Sequence, residues 1–144
     1  LGKLFRERGI KVESVLHSQW CRTRETARLA FGNQVRDEPA FNSFFSQSSG
    51  AGETQTNQAR AVLNAWHGPG ALVVVTHQVN IQALTGAAAS SAEGVVLRPA
   101  ADGSFKDDCT LSPGVLPAKP SLLAPQTVCI SRIDTGWLNK ICRA

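Results

Sequence analysis

The alternation of hydrophobic and polar residues predicts a strand-helix unit near the start of the chain. A helix that ends near Gly9 is followed by a short strand, KVESVL, over Lys11 to Leu16. A helical pattern then begins at Ser18 and stops at Gly32-Asn33, where a glycine is typical of a helix C-terminus. The order strand, turn, helix predicts an α/β layered domain.

A second unit of the same kind follows. A helix is predicted to begin around Thr54 and to end at Gly68, and the next element, ALVVVT, is continuously apolar. Such a run is typical of a strand that is buried on both faces of a sheet. A further helical pattern begins directly after Thr76-His77. The apolar positions of the second helix recur at helical spacing: Ala59, Val62, Leu63 and Trp66.

The pattern is weaker between these units and at the end of the chain. Residues Gln34 to Gly52 are expected to form a long irregular excursion from the sheet, with a flexible run, SQSSGAG. Its aromatic residues Phe41, Phe44 and Phe45 fit either core packing or an apolar pocket wall. Beyond Ser91, EGVVLRP suggests one strand and TVCISRI another.

Size and composition predict one domain over residues 1–144. No stretch approaches the roughly 18 consecutive apolar residues that span a bilayer, so no membrane partner is expected. The formal net charge of +4 favours anionic partners. Because there is no basic block with interleaved aromatic residues, small phosphates fit better than nucleic acid. Localisation and oligomeric state are left open.

The four cysteines show no spacing that a zinc site would use, so no metal site is expected. Three of them, Cys109, Cys129 and Cys142, lie in the C-terminal third. Their pattern is compatible with one disulfide and equally with reduced thiols.

Polar residues mark two predicted strand ends, at His17-Ser18 and at Thr76-His77. Ligands of open α/β sheets bind beyond the carboxyl ends of strands, and helix N-termini favour anions. Arg22, one turn into its helix, could offer a bidentate donor to the same anion. The alternatives are that His77 is a hydrogen-bonded structural residue and that Arg22, Arg24 and Glu25 form a solvated, charge-paired helix face.

Two motifs together carry a resemblance to a known family. The segment from Ser18 to Ala27, SQWCRTRETA, matches the pattern S-x-x-x-R-x-x-x-T-A, and VVVTHQVNIQALTG is similar to the segment that holds a second active-site histidine. The chain therefore resembles the histidine phosphatase superfamily, the phosphoglycerate-mutase-like enzymes, over roughly Leu1 to Leu97; residues 98–144 match poorly. The resemblance implies a three-layer α/β/α fold with a mostly parallel sheet.

The resemblance also implies a site and a reaction. Arg22 matches the second arginine of the family's phosphate pocket, and His77 matches the second histidine, which stabilises charge on the transferring phosphoryl group. Another histidine of the family attacks phosphorus and forms a phosphohistidine that water hydrolyses. The implied partner is a small phosphorylated substrate or inorganic phosphate, with no cofactor and no metal.

Two departures from the family pattern modify this expectation. The R-H-G tripeptide, which supplies the nucleophile and the first arginine, is absent, and we expect an N-terminal truncation of a longer protein. Where mutase-like members carry Leu-x-Glu, this chain has Phe41-Asn42-Ser43. Glu53 is the first candidate for the missing proton donor, with Asp37 or Glu38 as alternatives, and each could equally be an ordinary loop carboxylate.

The expected function is that of a phosphate-ester-binding domain of a histidine phosphatase, whose full-length form hydrolyses phosphomonoesters and whose present form is inactive alone. The alternatives are a non-catalytic phosphate- or phosphoprotein-binding module and a purely structural domain. Because the family places the missing strand inside the sheet, its loss would leave unpaired backbone edges. The sequence leaves three explanations open: the chain folds in a rearranged way, another chain supplies the missing piece, or the sequence is that of a gene fragment.

Overall fold

The computed structural model describes residues 1–47, 49–100, 104–112 and 128–132, which form an α/β fold with four α-helices and a six-stranded sheet. The predicted α/β class is therefore confirmed. The elements in chain order are α1 (Gly2–Glu7), β1 (Val12–His17), α2 (Cys21–Phe31), β2 (Arg36–Asp37), a 3-10 turn (Pro39–Phe41), α3 (Ser49–Asn64), β3 (Ala71–Thr76), α4 (Gln78–Thr85), β4 (Gly94–Pro99), β5 (Phe105–Leu111) and β6 (Val128–Arg132).

The sheet is mixed and has the strand order β2-β1-β3-β6-β4-β5. The pairs β1-β2, β1-β3 and β3-β6 are parallel, whereas β4 runs antiparallel to both β5 and β6. The expected parallel pairing is therefore found among β2, β1, β3 and β6, whereas β4 and β5 pair in the antiparallel direction. The connection from Pro99 to Phe105 is too short for the crossover that parallel neighbours require, so β4 and β5 pair as antiparallel strands.

Helices cover both faces of the sheet. On one face α1 and α2 pack on the side chains of Val73 and Val75, and on the other α3, α4 and the 3-10 turn pack on Leu72 and Val74. All six residues of β3 are buried. The prediction of a strand buried on both faces is confirmed, because successive side chains of β3 point into two different cores.

The expected start of the second helix at Thr54 is wrong: α3 already begins at Ser49, so part of the run predicted to be flexible is helical. Thr54 and Thr56 donate their hydroxyls to the carbonyls of Gly50 and Gly52, one turn back. Gly52 also allows a close approach, since a Cβ there would lie 2.9 Å from Cδ2 of Phe44. Polar and glycine residues therefore have helical and packing roles here that composition does not reveal.

The strands predicted at EGVVLRP and TVCISRI are confirmed as β4 and β6, but β5 was not predicted. It lies at the edge of the described sheet, next to β4. β6 lies between β3 and β4, so the described sheet is continuous from β2 to β5. None of the described helices is long and apolar enough to cross a membrane.

Candidate functional site

The two strand ends predicted to carry chemistry lie side by side. β1 and β3 are parallel neighbours in which His17 is in register with Val75, and the amide of Ser18 donates to the carbonyl of Val75 at 3.1 Å. Ser18 therefore meets His77, and Ser18 Oγ lies 2.8 Å from His77 Nε2. Both side chains are buried. The two strand ends marked by polar residues in the sequence therefore lie at the same edge of the sheet.

Arg22 completes the cluster from the first turn of α2. Its Nη2 lies 3.3 Å from Nδ1 of His77, and its Cζ lies 4.5 Å from the centroid of the Trp20 ring. The Trp20 ring in turn meets the His77 ring edge-on, with centroids 5.0 Å apart. A guanidinium over an indole face is a favourable cation-π arrangement. Arg22 and His77 are thus in contact with each other and with the ring of Trp20.

The hydrogen bonds have only one consistent direction. Since a guanidinium only donates, Nδ1 of His77 accepts from Arg22, and Nε2 must carry the proton that it donates to Ser18 Oγ. Ser18 then donates to Thr23 Oγ1 at 2.7 Å, and Thr23 donates to backbone carbonyls of Ser18 and Trp20 at 2.8 and 2.6 Å. This chain of donors selects the neutral Nε2–H tautomer of His77.

The electrostatics agree with this assignment. Burial, together with the nearby positive charge of Arg22, lowers the pKa of His77 from 6.5 to about 4. Burial also lowers the pKa of Arg22, although a guanidinium stays charged in proteins. At neutral pH the cluster is therefore a fixed cation beside a neutral imidazole.

The lowered pKa of His77 makes stability depend on pH. Because folding moves this pKa from 6.5 to about 4, the unfolded chain binds more protons between these values, and stability falls as the pH falls through this window. The contribution, fully present above about pH 6.5, amounts to about 2 to 3 kcal/mol. We expect His77→Gln to flatten the decline in free energy of unfolding between pH 7 and pH 4.5, measured by urea denaturation. An unchanged slope in the variant would contradict the assignment.

The Ser18-His77 pair does not form a serine nucleophile with its base. A base must accept the serine proton, whereas Nε2 of His77 already carries a proton and Nδ1 faces a cation in place of the carboxylate that would orient such a base. The Ser18 hydroxyl is also fully buried. Ser18 therefore orients His77.

The donors around the cluster suit an anion. α2 and α4 both begin here, at Trp20 and His77, and neither N-cap residue makes a side-chain capping hydrogen bond. Their first amides and the positive ends of their dipoles favour negative charge. Nε of Arg22 is buried and has no hydrogen-bond partner, and no carboxylate in the described part of the chain pairs with this arginine. Such an unused buried donor calls for a ligand.

The structure separates the two arginines that the sequence places in one helix. Arg24 is exposed and pairs with Glu25 at 3.1 Å, so the solvated helix face predicted as an alternative exists for Arg24. Arg22 lies on the other side, against Trp20 and His77. His67 is exposed, and Nδ1 of His17 donates to the carbonyl of Ser18 at 2.7 Å.

The three candidate proton donors occupy different positions. Asp37 Oδ2 accepts from Gln19 at 3.0 Å, and Glu38 Oε1 accepts from the amide of Ala40, which caps the 3-10 turn. Both carboxylates therefore have structural partners. Glu53 lines a cavity beside α4 and makes no described contact with Arg22 or His77.

Sequence reasoning missed Thr23, Asn42 and Asn80. Asn80 is buried in the first turn of α4 and donates Nδ2 to the carbonyl of Asn42 at 3.0 Å, while its Oδ1 has no partner. The Asn42 side chain accepts from the amide of Gln19 at 2.8 Å, just after Ser18. These residues tie the 3-10 segment to both helix starts. Because α4 also carries Gln78, Gln82 and Thr85, its sequence pattern alone does not single out Asn80.

Two of the four cysteines have side chains within the described residues. Cys21, at the start of α2, is disulfide-bonded, and Cys129 is buried in the core beneath α1 and α2. The side chains of Cys109 and Cys142 lie outside the described residues. Within the described ranges, no three His, Cys, Asp or Glu side chains are grouped so as to hold a metal ion.

Comparison with known proteins gives no match: no family model, no curated protein and no solved structure matches the chain. The case for a function therefore depends on the geometry around Arg22 and His77 and on the two sequence motifs.

Proposed function

We propose that this chain is a phosphate-ester-binding domain in which Arg22 and His77 bind the phosphoryl oxygens, and that its α/β fold is of the phosphoglycerate-mutase-like kind. The observation that carries the proposal is the state of the Arg22 guanidinium. It stacks on Trp20 and donates to His77, and its buried Nε has no hydrogen-bond partner. Two uncapped helix starts and the absence of a described carboxylate partner at Arg22 add support.

The neutral state of His77 is suited to this role. Burial and, second, the charge of Arg22 lower the pKa of His77; a bound dianion would offset the second cause, so binding raises that pKa. Nδ1 can then take up a proton and donate to a phosphoryl oxygen, while Nε2–H stays on Ser18. His77 itself should therefore take up a proton on binding, because the ligand shifts its pKa toward the ordinary value.

Phosphate binding should stabilise the fold. At a concentration one hundred times the dissociation constant, linkage gives about 2.7 kcal/mol, which corresponds to roughly 8 to 12 °C in the melting temperature of a chain of this size. We expect inorganic phosphate or vanadate to produce such a shift in a thermal scan at pH 7, with sodium chloride of equal ionic strength as the control. No shift beyond that of the salt would favour a purely structural domain.

Hydrolysis is assigned to a form that also carries R-H-G. There, a histidine nitrogen attacks phosphorus while the ester oxygen leaves with a proton from Glu53 or another acid, and water then cleaves the phosphohistidine. Arg22 and His77 would stabilise the charge on the equatorial oxygens. The test compares turnover of an aryl phosphate by this chain and by a version extended through R-H-G. An extended version that traps no phosphoryl group on histidine would refute the enzymatic role.

A non-catalytic phosphate- or phosphoprotein-binding module is the second candidate, and one observation favours it. Around Arg22, no described side chain is placed as a nucleophile, since Nε2 of His77 is engaged with Ser18 and the Ser18 hydroxyl is buried. If the extended protein binds phosphate with the same affinity and turns over nothing, the module is the better description.

A further inference from the structure

A cavity of about 510 Å³ lies beside the candidate site, between the segment after the 3-10 turn, α3 and α4. Its size is within the range of small-molecule pockets. Phe44 and Phe45 form one wall, Val79 and Ala83 of α4 form another, and Glu53 and Arg60 of α3 add polar groups. This cavity is distinct from the contact between Arg22 and His77, and the proposed phosphate site does not use it.

The cavity and the phosphate site both use the start of α4. Val79 lies in the first turn of α4, two residues after His77. The segment that carries the two phenylalanines is fixed by the carbonyl of Asn42, which accepts hydrogen bonds from Asn80 of α4 and Gln55 of α3. The start of α4 and the carbonyl of Asn42 thus connect the cavity with the residues around His77.

The lining favours a neutral and largely apolar substituent. The guanidinium of Arg60 is engaged with the carbonyl of Ala83 and with Asn57, each at 3.2 Å, and the Thr56 hydroxyl donates to the carbonyl of Gly52 at 2.7 Å. The carboxylate of Glu53 and the guanidinium of Arg60 leave the lining without net charge, and Gln47 adds a neutral polar group. What the cavity offers is aromatic and methyl surface, and Phe45 keeps 83% of its surface exposed at the rim. An exposed phenylalanine beside an aromatic wall suits ring stacking.

We propose that this cavity binds the organic part of the phosphate ester and that the preferred ligands are monoesters of a neutral aromatic alcohol. The proposal rests on the proposed function, since it assumes a phosphoryl group at Arg22 and His77. It adds the substrate class: an aromatic ring against Phe44 and Phe45, with no second charged group.

The test measures dissociation constants by calorimetry for inorganic phosphate, glycerol phosphate, phenyl phosphate and benzyl alcohol. Phenyl phosphate is expected to bind about 10- to 30-fold more tightly than glycerol phosphate, from the burial of one ring. Phe45→Ala should reduce this preference to about 3-fold or less and leave the affinity for inorganic phosphate unchanged. Leu29→Ala is the matched control, because Leu29 is also an exposed large hydrophobic residue, 65% exposed, but lies on α2 outside the cavity.

The outcomes separate this inference from the function on which it rests. Equal affinity for phenyl phosphate and glycerol phosphate, with inorganic phosphate still bound, would overturn the aromatic preference and leave the phosphate site intact. An aromatic preference that survives Phe45→Ala and Gly52→Ala, which displaces the Phe44 ring, would also overturn it. A third outcome is that benzyl alcohol and phenyl phosphate bind equally well, that Phe45→Ala weakens both, and that inorganic phosphate does not bind. This result would support the aromatic cavity and refute the phosphate site.

Discussion

Replacement of Arg22 by glutamine is expected to weaken the binding of inorganic phosphate by about 100-fold or more at pH 7. Two hydrogen bonds to a charged acceptor are lost, each of which contributes about 1.5 to 3 kcal/mol. The amide still reaches toward Nδ1 of His77, but it brings neither the positive charge nor the stacking on Trp20. Titration calorimetry on the native chain and the variant measures the difference directly.

Two further variants make this result specific. Arg24→Gln removes a positive charge from the same helix without touching the site, since exposed Arg24 pairs with Glu25, so it should change the affinity less than about 2-fold. Arg22→Lys keeps the charge but loses the planar fork, and should bind with intermediate affinity. Equal weakening by the Arg24 and Arg22 variants would mean that net charge, and not a site, attracts phosphate.

Phe41→Ala is expected to have the largest effect on stability, about 3 to 5 kcal/mol. Phe41 is fully buried among the side chains beneath α3 and α4, and its carbonyl accepts from Thr76 Oγ1 at 2.8 Å, immediately before His77. Truncation leaves a cavity in this core. The measurement is the free energy of unfolding in urea, with fluorescence and circular dichroism followed in parallel.

Phe45→Ala is the matched control for this prediction. Its side chain lies at the rim of the cavity and is 83% exposed, so the free energy of unfolding should change by less than about 0.5 kcal/mol. A similar loss from both variants would contradict the division of the phenylalanines into core and cavity wall.

This division shows what the sequence could predict and what it could not. The spacing of Phe41, Phe44 and Phe45 is compatible with core packing and with a pocket wall. The packing of the 3-10 turn against Thr76 and α4 decides that Phe41 is buried and Phe45 is exposed. β3 was predictable because six apolar residues in a row leave few other structures. The start of α3 was not, because serine and glycine favour loops unless specific packing, such as that of Phe44 on Gly52, offsets their preference.

The candidate site, too, could be predicted from the sequence only in part. That Ser18 and His77 meet could be predicted, because parallel strands end at one edge of the sheet. The contact of Arg22 with His77 is compatible with the motif, since Arg22 lies in the first turn of α2, which begins shortly after Ser18. Three further contacts depend on side-chain directions that only the folded chain sets. They are the stacking of Arg22 on Trp20, the hydrogen bond from Ser18 to Thr23 and the hydrogen bond from Asn80 to Asn42.

The most direct test of the central claim is nuclear magnetic resonance of the three histidine rings during a phosphate titration at pH 6. Without phosphate, His77 should show the nitrogen shifts of a neutral Nε2–H imidazole, because its pKa is about 4. With phosphate, its Nδ1 signal should move saturably toward the protonated value with the same dissociation constant as calorimetry, while exposed His67 does not respond. A His77 signal that stays unchanged up to saturating phosphate, or one already protonated without it, would contradict the account.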